Sequence, residues 1–159
     1  MSPRFLGVFF FLLAVSVSNA ADGIKIVRVW PAWHDAEYFQ RVSEYFGGPE
    51  NTSGQIVLRT QPSQRAGFYF LARTKNLGGT EISSVKIILE VIKPGLPDPV
   101  TYTFESPPTK GDAVYQIGLT GTDWSGPRVH PVAWRLRIFD AQGGLLATEK
   151  SFLWDIPAK

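Results

Sequence analysis

The chain has 159 residues, of which 13% are aromatic and none is cysteine, and its formal net charge is +2. Disulfides, thiolate metal sites, a cysteine nucleophile and a lipidated N-terminal cysteine are therefore excluded. Lys and Arg are scattered singly, with no run that would neutralise several phosphates together, so the sequence offers no support for nucleic-acid binding.

At the N-terminus Arg4 is followed by the apolar run Phe5–Val17 and then by Ser18-Asn19-Ala20, with small residues at −3 and −1. This three-part pattern predicts a secretory signal peptide over residues 1–20, cleaved before Ala21, and an exported protein, periplasmic or secreted. The run is shorter than the about 20 residues of a membrane span. No transmembrane segment is expected after cleavage, and an uncleaved anchor is the alternative. Residues 21–159 suit one domain with a single core.

Ile24–Trp30 reads as a strand buried on much of both sides. Ile24, Ile26, Arg28 and Trp30 share one face; Lys25, Val27 and Val29 share the other. From Asp35 to Phe46 the period changes. Tyr38, Phe39, Val42, Tyr45 and Phe46 fall on one helical stripe, read as the face that docks the helix onto the rest of the fold. Asp35 is placed to cap this helix, Glu37 and Arg41 to pair four residues apart, and Gly47-Gly48-Pro49 to end it.

Strands are predicted over 55–60, 67–75, 84–92, 100–104, 113–119, 132–140 and 145–154, rich in Val, Ile, Phe, Tyr and Trp and separated by turn residues. In Val132–Ile138 strict alternation points Trp134, Leu136 and Ile138 inward and Arg135 and Arg137 outward. Asp140–Gly144 makes the tight turn of a final hairpin. About eight short strands predict a mainly β fold, an antiparallel β-sandwich with one short helix inserted after the first strand. A small β-barrel is the alternative.

The terminal stretch Val132–Trp154, with its inward Trp, turn and returning strand, resembles the last hairpin of bacterial exported immunoglobulin-like and fibronectin-like domains. The resemblance implies an immunoglobulin-like sandwich and carries over no functional residues. The segment from Trp30 to Gly48 has no counterpart in the usual immunoglobulin-like pattern, and the inter-sheet disulfide is missing.

Catalytic chemistry is sparse. His34 and His130 are the two imidazoles, with no metal-ligand spacing, and no serine sits in a GxSxG elbow. The glycine pairs match turns rather than phosphate loops, so no cofactor is expected. Arg59, Arg65 and Arg73 read as solvated side chains around a strand. Asn51-Thr52-Ser53 has the form of a glycosylation sequon.

Alternation of connections between the two ends of a sandwich places loops 61–66, 93–99 and 120–131 at one end. The helix insert and turns 76–83, 105–112 and 140–144 are expected at the other. The candidate binding residues at the first end are Arg65, Asp123, Trp124, Arg128 and His130, joined by Trp33 because it lies outside the helical stripe. Trp124 has a second reading, as a plug for the open end of the core. The expected function is a non-catalytic interaction domain for a protein or envelope partner. A carbohydrate-binding module using loop tryptophans is the alternative, and a small hydrolase with dispersed carboxylates comes third.

Overall fold

The structure, a computed structural model, describes residues 23–79 and 81–155; the expected signal peptide lies outside them. Among the described residues eight strands form two four-stranded sheets. The first contains β1 (Ile24–His34), β2 (Ile56–Arg59), β3 (Gly67–Asn76) and β6 (Ala113–Thr120), in the order β1-β3-β6-β2. The second contains β4 (Val85–Ile92), β5 (Val100–Ser106), β7 (Ala133–Phe139) and β8 (Leu145–Lys150), in the order β5-β4-β7-β8. All neighbours are antiparallel except β2, which runs parallel to β6. This is the expected sandwich of about eight strands, and not a barrel, because the two sheets share no strand.

The core lies between the sheets, filled by alternate residues of each strand. Phe68, Phe70 and Ala72 of β3 and Tyr115, Ile117 and Leu119 of β6 meet Ile87, Leu89 and Val91 of β4 and Trp134, Leu136 and Ile138 of β7. Burial of a side chain of this size contributes about 1.5–3 kcal/mol before conformational entropy is subtracted. As the alternation requires, Arg135 and Arg137 emerge on the outer face, where both reach Glu90.

Three local expectations are corrected. First, β1 continues through Pro31 to His34 and carries a bulge between Ile26 and Arg28. The extra residue reverses the inward set beyond it: Ile24 and Ile26 point into the core, but Arg28 and Trp30 point out. Second, β8 ends at Lys150, and Phe152–Asp155 form a 3-10 turn instead of more strand. Third, Asp35–Phe46 is not one helix. Glu37–Phe39 is a 3-10 turn, Gln40 and Arg41 are extended, and Val42–Tyr45 is the single-turn helix α1. An isolated helix of this length gains little on its own, so the contact made by Phe39 decides the backbone.

The insert also sits at the opposite end from the one expected. β1 and β2 run in the same direction, so the connection between them must travel the length of the sheet. It begins at His34, paired with Gly67 of β3, and thus beside loop 60–66. The other connections fall at the ends that alternation assigned them.

Candidate functional site

One end of the sandwich gathers loops 60–66, 93–99 and 121–132 together with the insert. The loops are tied by polar contacts. Thr120 Oγ1 accepts from the Gln61 backbone N–H at 3.0 Å and donates to the Gln61 carbonyl at 3.1 Å; Gln61 Nε2 donates to Thr122 Oγ1 at 2.7 Å. Lys93 Nζ donates to the Asp123 carbonyl at 2.6 Å and lies over the rings of Tyr102 and Trp124.

Trp124 takes the plug position. It is 4% exposed, its ring packs on Phe68 at 4.8 Å between centroids, and its Nε1 donates to the Val129 carbonyl at 3.1 Å. It offers no free aromatic face. Trp33, opposite Phe68 across β1 and β3, is partly buried against the same core. His130 is exposed and meets the edge of Phe68, and Arg128 is exposed. Asp123 is half-buried in the loop ties just described. Arg65 does not join the others, because its guanidinium is taken by the insert through Glu44 at 2.6 Å.

The insert is a strap laid over the outer face of the first sheet. Its apolar anchor is Phe39, buried with its ring 4.5 Å from that of Tyr69 and 4.9 Å from the guanidinium carbon of Arg59. Its polar anchor is a network of buried and half-buried charges. Arg59 holds Glu50 through two parallel hydrogen bonds, of 2.6 and 3.0 Å, and its Nε donates to Tyr69 Oη at 2.9 Å. Tyr69 Oη in turn donates to the Arg65 carbonyl at 2.7 Å, and Arg65 reaches both Glu44 and Glu50. The arginine partners hold the Glu44 and Glu50 carboxyls below their usual range, and burial pushes the Tyr69 phenol up. His34 stacks face to face with Tyr38 at 3.7 Å; burial lowers its pKa, with Asp35 opposing. Two expected caps are present. Asp35 Oδ1 accepts the Tyr38 N–H, and Gly47 takes the left-handed conformation that ends α1, at φ +82°.

The expected docking stripe is split by the break at Gln40. Phe39 faces the sheet, but Val42, Tyr45 and Phe46 face solvent, 73%, 71% and 87% exposed. The same break separates Glu37 from Arg41, and no ion pair forms between them among the described residues. These three apolar side chains are what a reading of the sequence misassigned. The local sequence holds no signal that separates a docked from an exposed stripe, because Val42–Tyr45 does form a helical turn ended by Gly47 and only the burial of Phe39 on Tyr69 fixes which side chains face the sheet.

Among the described residues no group of three or more His, Asp or Glu side chains is arranged to hold a metal ion, and none of their helices is long and apolar enough to cross a membrane. No protein-family model matches the chain, and no curated protein matches it.

Proposed function

We propose that this protein is an exported, non-catalytic interaction domain that binds a protein partner through the strap and the adjoining loop end. The observation that supports this reading is the exposure of Val42, Tyr45 and Phe46 on a segment fixed to the sheet by Phe39 and two arginine–glutamate contacts. Apolar side chains grouped in solvent cost solubility, and holding them rigidly lowers the entropy lost on binding. A partner with an apolar pocket for Tyr45 and Phe46, rimmed by polar groups, matches this surface. Export rests on the leader pattern of residues 1–20.

The test is site-specific photocross-linking in the host cell. A benzophenone side chain replaces Tyr45 in one strain and Thr148, exposed on β8 of the other sheet, in a second. A discrete protein adduct is expected at position 45, absent at 148 and lost when Phe46→Ser is added. Identical adduct patterns at the two positions, or none at either, would refute the surface. Retention of the protein by a neutral polysaccharide gel, abolished by Tyr45→Ser, would replace the protein partner with the carbohydrate alternative.

A further inference from the structure

On the outer face of the first sheet, below the strap, like charges stand directly opposite one another. Lys25 faces Lys75, and Arg28 faces Arg73, across β1 and β3. All four are exposed, while Ile24, Ile26, Ala72 and Thr74 beside them point into the core. Cross-strand neighbours of the same sign repel. Among the described residues none of the four has an acidic side chain within ion-pair distance.

Cations of the second sheet have acidic neighbours: Arg135 and Arg137 share Glu90, Lys150 pairs with Asp155, and Lys86 stands opposite Glu105 across β4 and β5. Asp112 stands beside the first cluster, lining a recess of about 230 Å³ with Arg73 and Lys75; its Oδ1 accepts the Asn76 backbone N–H, and its charge stays outside ion-pair distance of the four cations. Trp30 lies in the row above, 37% exposed, with the Arg28 guanidinium 4.9 Å from its ring centre.

We propose that this face binds an acidic polysaccharide, a chain of sugars bearing carboxylates. A polyanion laid across β1 and β3 discharges the repulsion that the fold leaves standing, and the half-exposed Trp30 gives a sugar ring an apolar contact beside the charges. The four cations fill a compact area, about 7 Å along a strand by about 5 Å between strands. That footprint suits anionic groups carried close together on a single flexible chain. The phosphate rows flanking a duplex major groove lie about 12 Å apart. The cluster shares a sheet face with the strap but lies toward the other end of β1 and β3 from the Phe39–Tyr69 anchor, and its occupancy does not depend on the protein partner proposed above.

The probe is polygalacturonate, titrated into the purified protein, with polyglutamate, dextran, duplex DNA and anionic phospholipid vesicles as comparators. Polygalacturonate is expected to bind, dextran not, with affinity falling several-fold between about 50 and 200 mM salt. Arg73→Gln with Lys75→Gln should weaken binding by about tenfold or more without lowering the melting temperature, because the substitutions remove repulsion rather than contacts. Lys86→Gln with Lys150→Gln, both exposed on the second sheet, should leave binding unchanged. Trp30→Ala should weaken polygalacturonate and leave any residual polyglutamate binding as it was. Equal affinity for polyglutamate and polygalacturonate overturns the sugar specificity. Tighter binding of DNA or vesicles, or wild-type affinity in the Arg73/Lys75 double variant, overturns the proposal.

Discussion

Gly118→Ala tests how the strap is held. Gly118 lies on β6 beneath the Tyr69 ring, and a Cβ there would stand 2.7 Å from Tyr69 Cζ, 2.9 Å from Cδ1 and closer still to Cε1. The ring has no easy way out. Tyr69 is fully buried, its backbone is paired on both sides, and its hydroxyl is fixed by Arg59 and the Arg65 carbonyl. Tilting it away sacrifices those two hydrogen bonds, at about 1 kcal/mol each, and presses it into Phe39. Overpacking of this kind costs about 1–3 kcal/mol, so a loss of about 2–3 kcal/mol is expected from urea unfolding. Trypsin cleavage after the exposed Arg41 should accelerate as the strap loosens. In a Tyr69→Ala background the ring is gone, and the same substitution should cost less than about 0.5 kcal/mol, giving a coupling energy of about 1.5 kcal/mol or more. A cost below about 0.5 kcal/mol in the wild-type background, or equal costs in both, would refute the account of Tyr69 as the pinned element.

Two further outcomes are expected. Trp124→Ala leaves a cavity against Phe68 and should cost about 3–5 kcal/mol; iodide should quench Trp30 in the wild-type protein and leave Trp124 and Trp134 shielded, so strong quenching of Trp124 would contradict the plug. Glu44, Glu50 and Glu90 are held below the ordinary carboxyl value of 4.5 by Arg65, Arg59 and Arg135, so the unfolded chain takes up protons before the folded one does. Their stabilisation is complete above that value and drains as the pH falls through the lowered native values. In a His34→Gln background, which removes the imidazole whose lowered native pKa drains stability between about pH 7 and 5, the urea midpoint should therefore hold steady from about pH 7 to 5 and fall below about pH 4.5, more gently in Glu90→Gln; a fall already complete by about pH 5.5, or no effect of Glu90→Gln, would count against these pairs.

What the sequence made legible is what local physics decides. The alternation in Val132–Ile138 settles which side chains are inside whatever the partner strand. In the turn that follows, Asp140 Oδ1 accepts the N–H groups of Gln142 and Gly144 within a few residues of itself. The insert was misread because its outcome depends on residues far along the chain. A stripe of five apolar residues satisfies helical spacing equally well docked or exposed. Only Tyr69 and Arg59, brought under Phe39 by β3 and β2, decide that one ring is buried and that the chain breaks after it. Trp124 had two readings for the same reason, because the Phe68 ring it covers lies more than fifty residues earlier in the sequence.

The cation cluster shows why scattered charges in a sequence do not mean scattered charges on a surface. Lys25 and Arg28 are separated from Arg73 and Lys75 by more than forty residues, and they become neighbours through the pairing of β1 with β3. The bulge at Val27 then determines the result. Without it the register would set Val27 against Arg73 and Arg28 against Ala72, whose side chain is in the core; a slip of one residue exchanges the faces of a strand. The extra residue turns Arg28 out of the core and into line with Arg73. Turning a charge outward requires only that it reach water, and any exposed position opposite a neutral or acidic neighbour would serve. The register chosen instead places it opposite a second arginine, next to a pair of lysines and beside a half-exposed tryptophan. Apart from the Arg28 contact on the Trp30 ring, folding gains nothing from setting like charges opposite one another, and the anionic ligand proposed above gains a site.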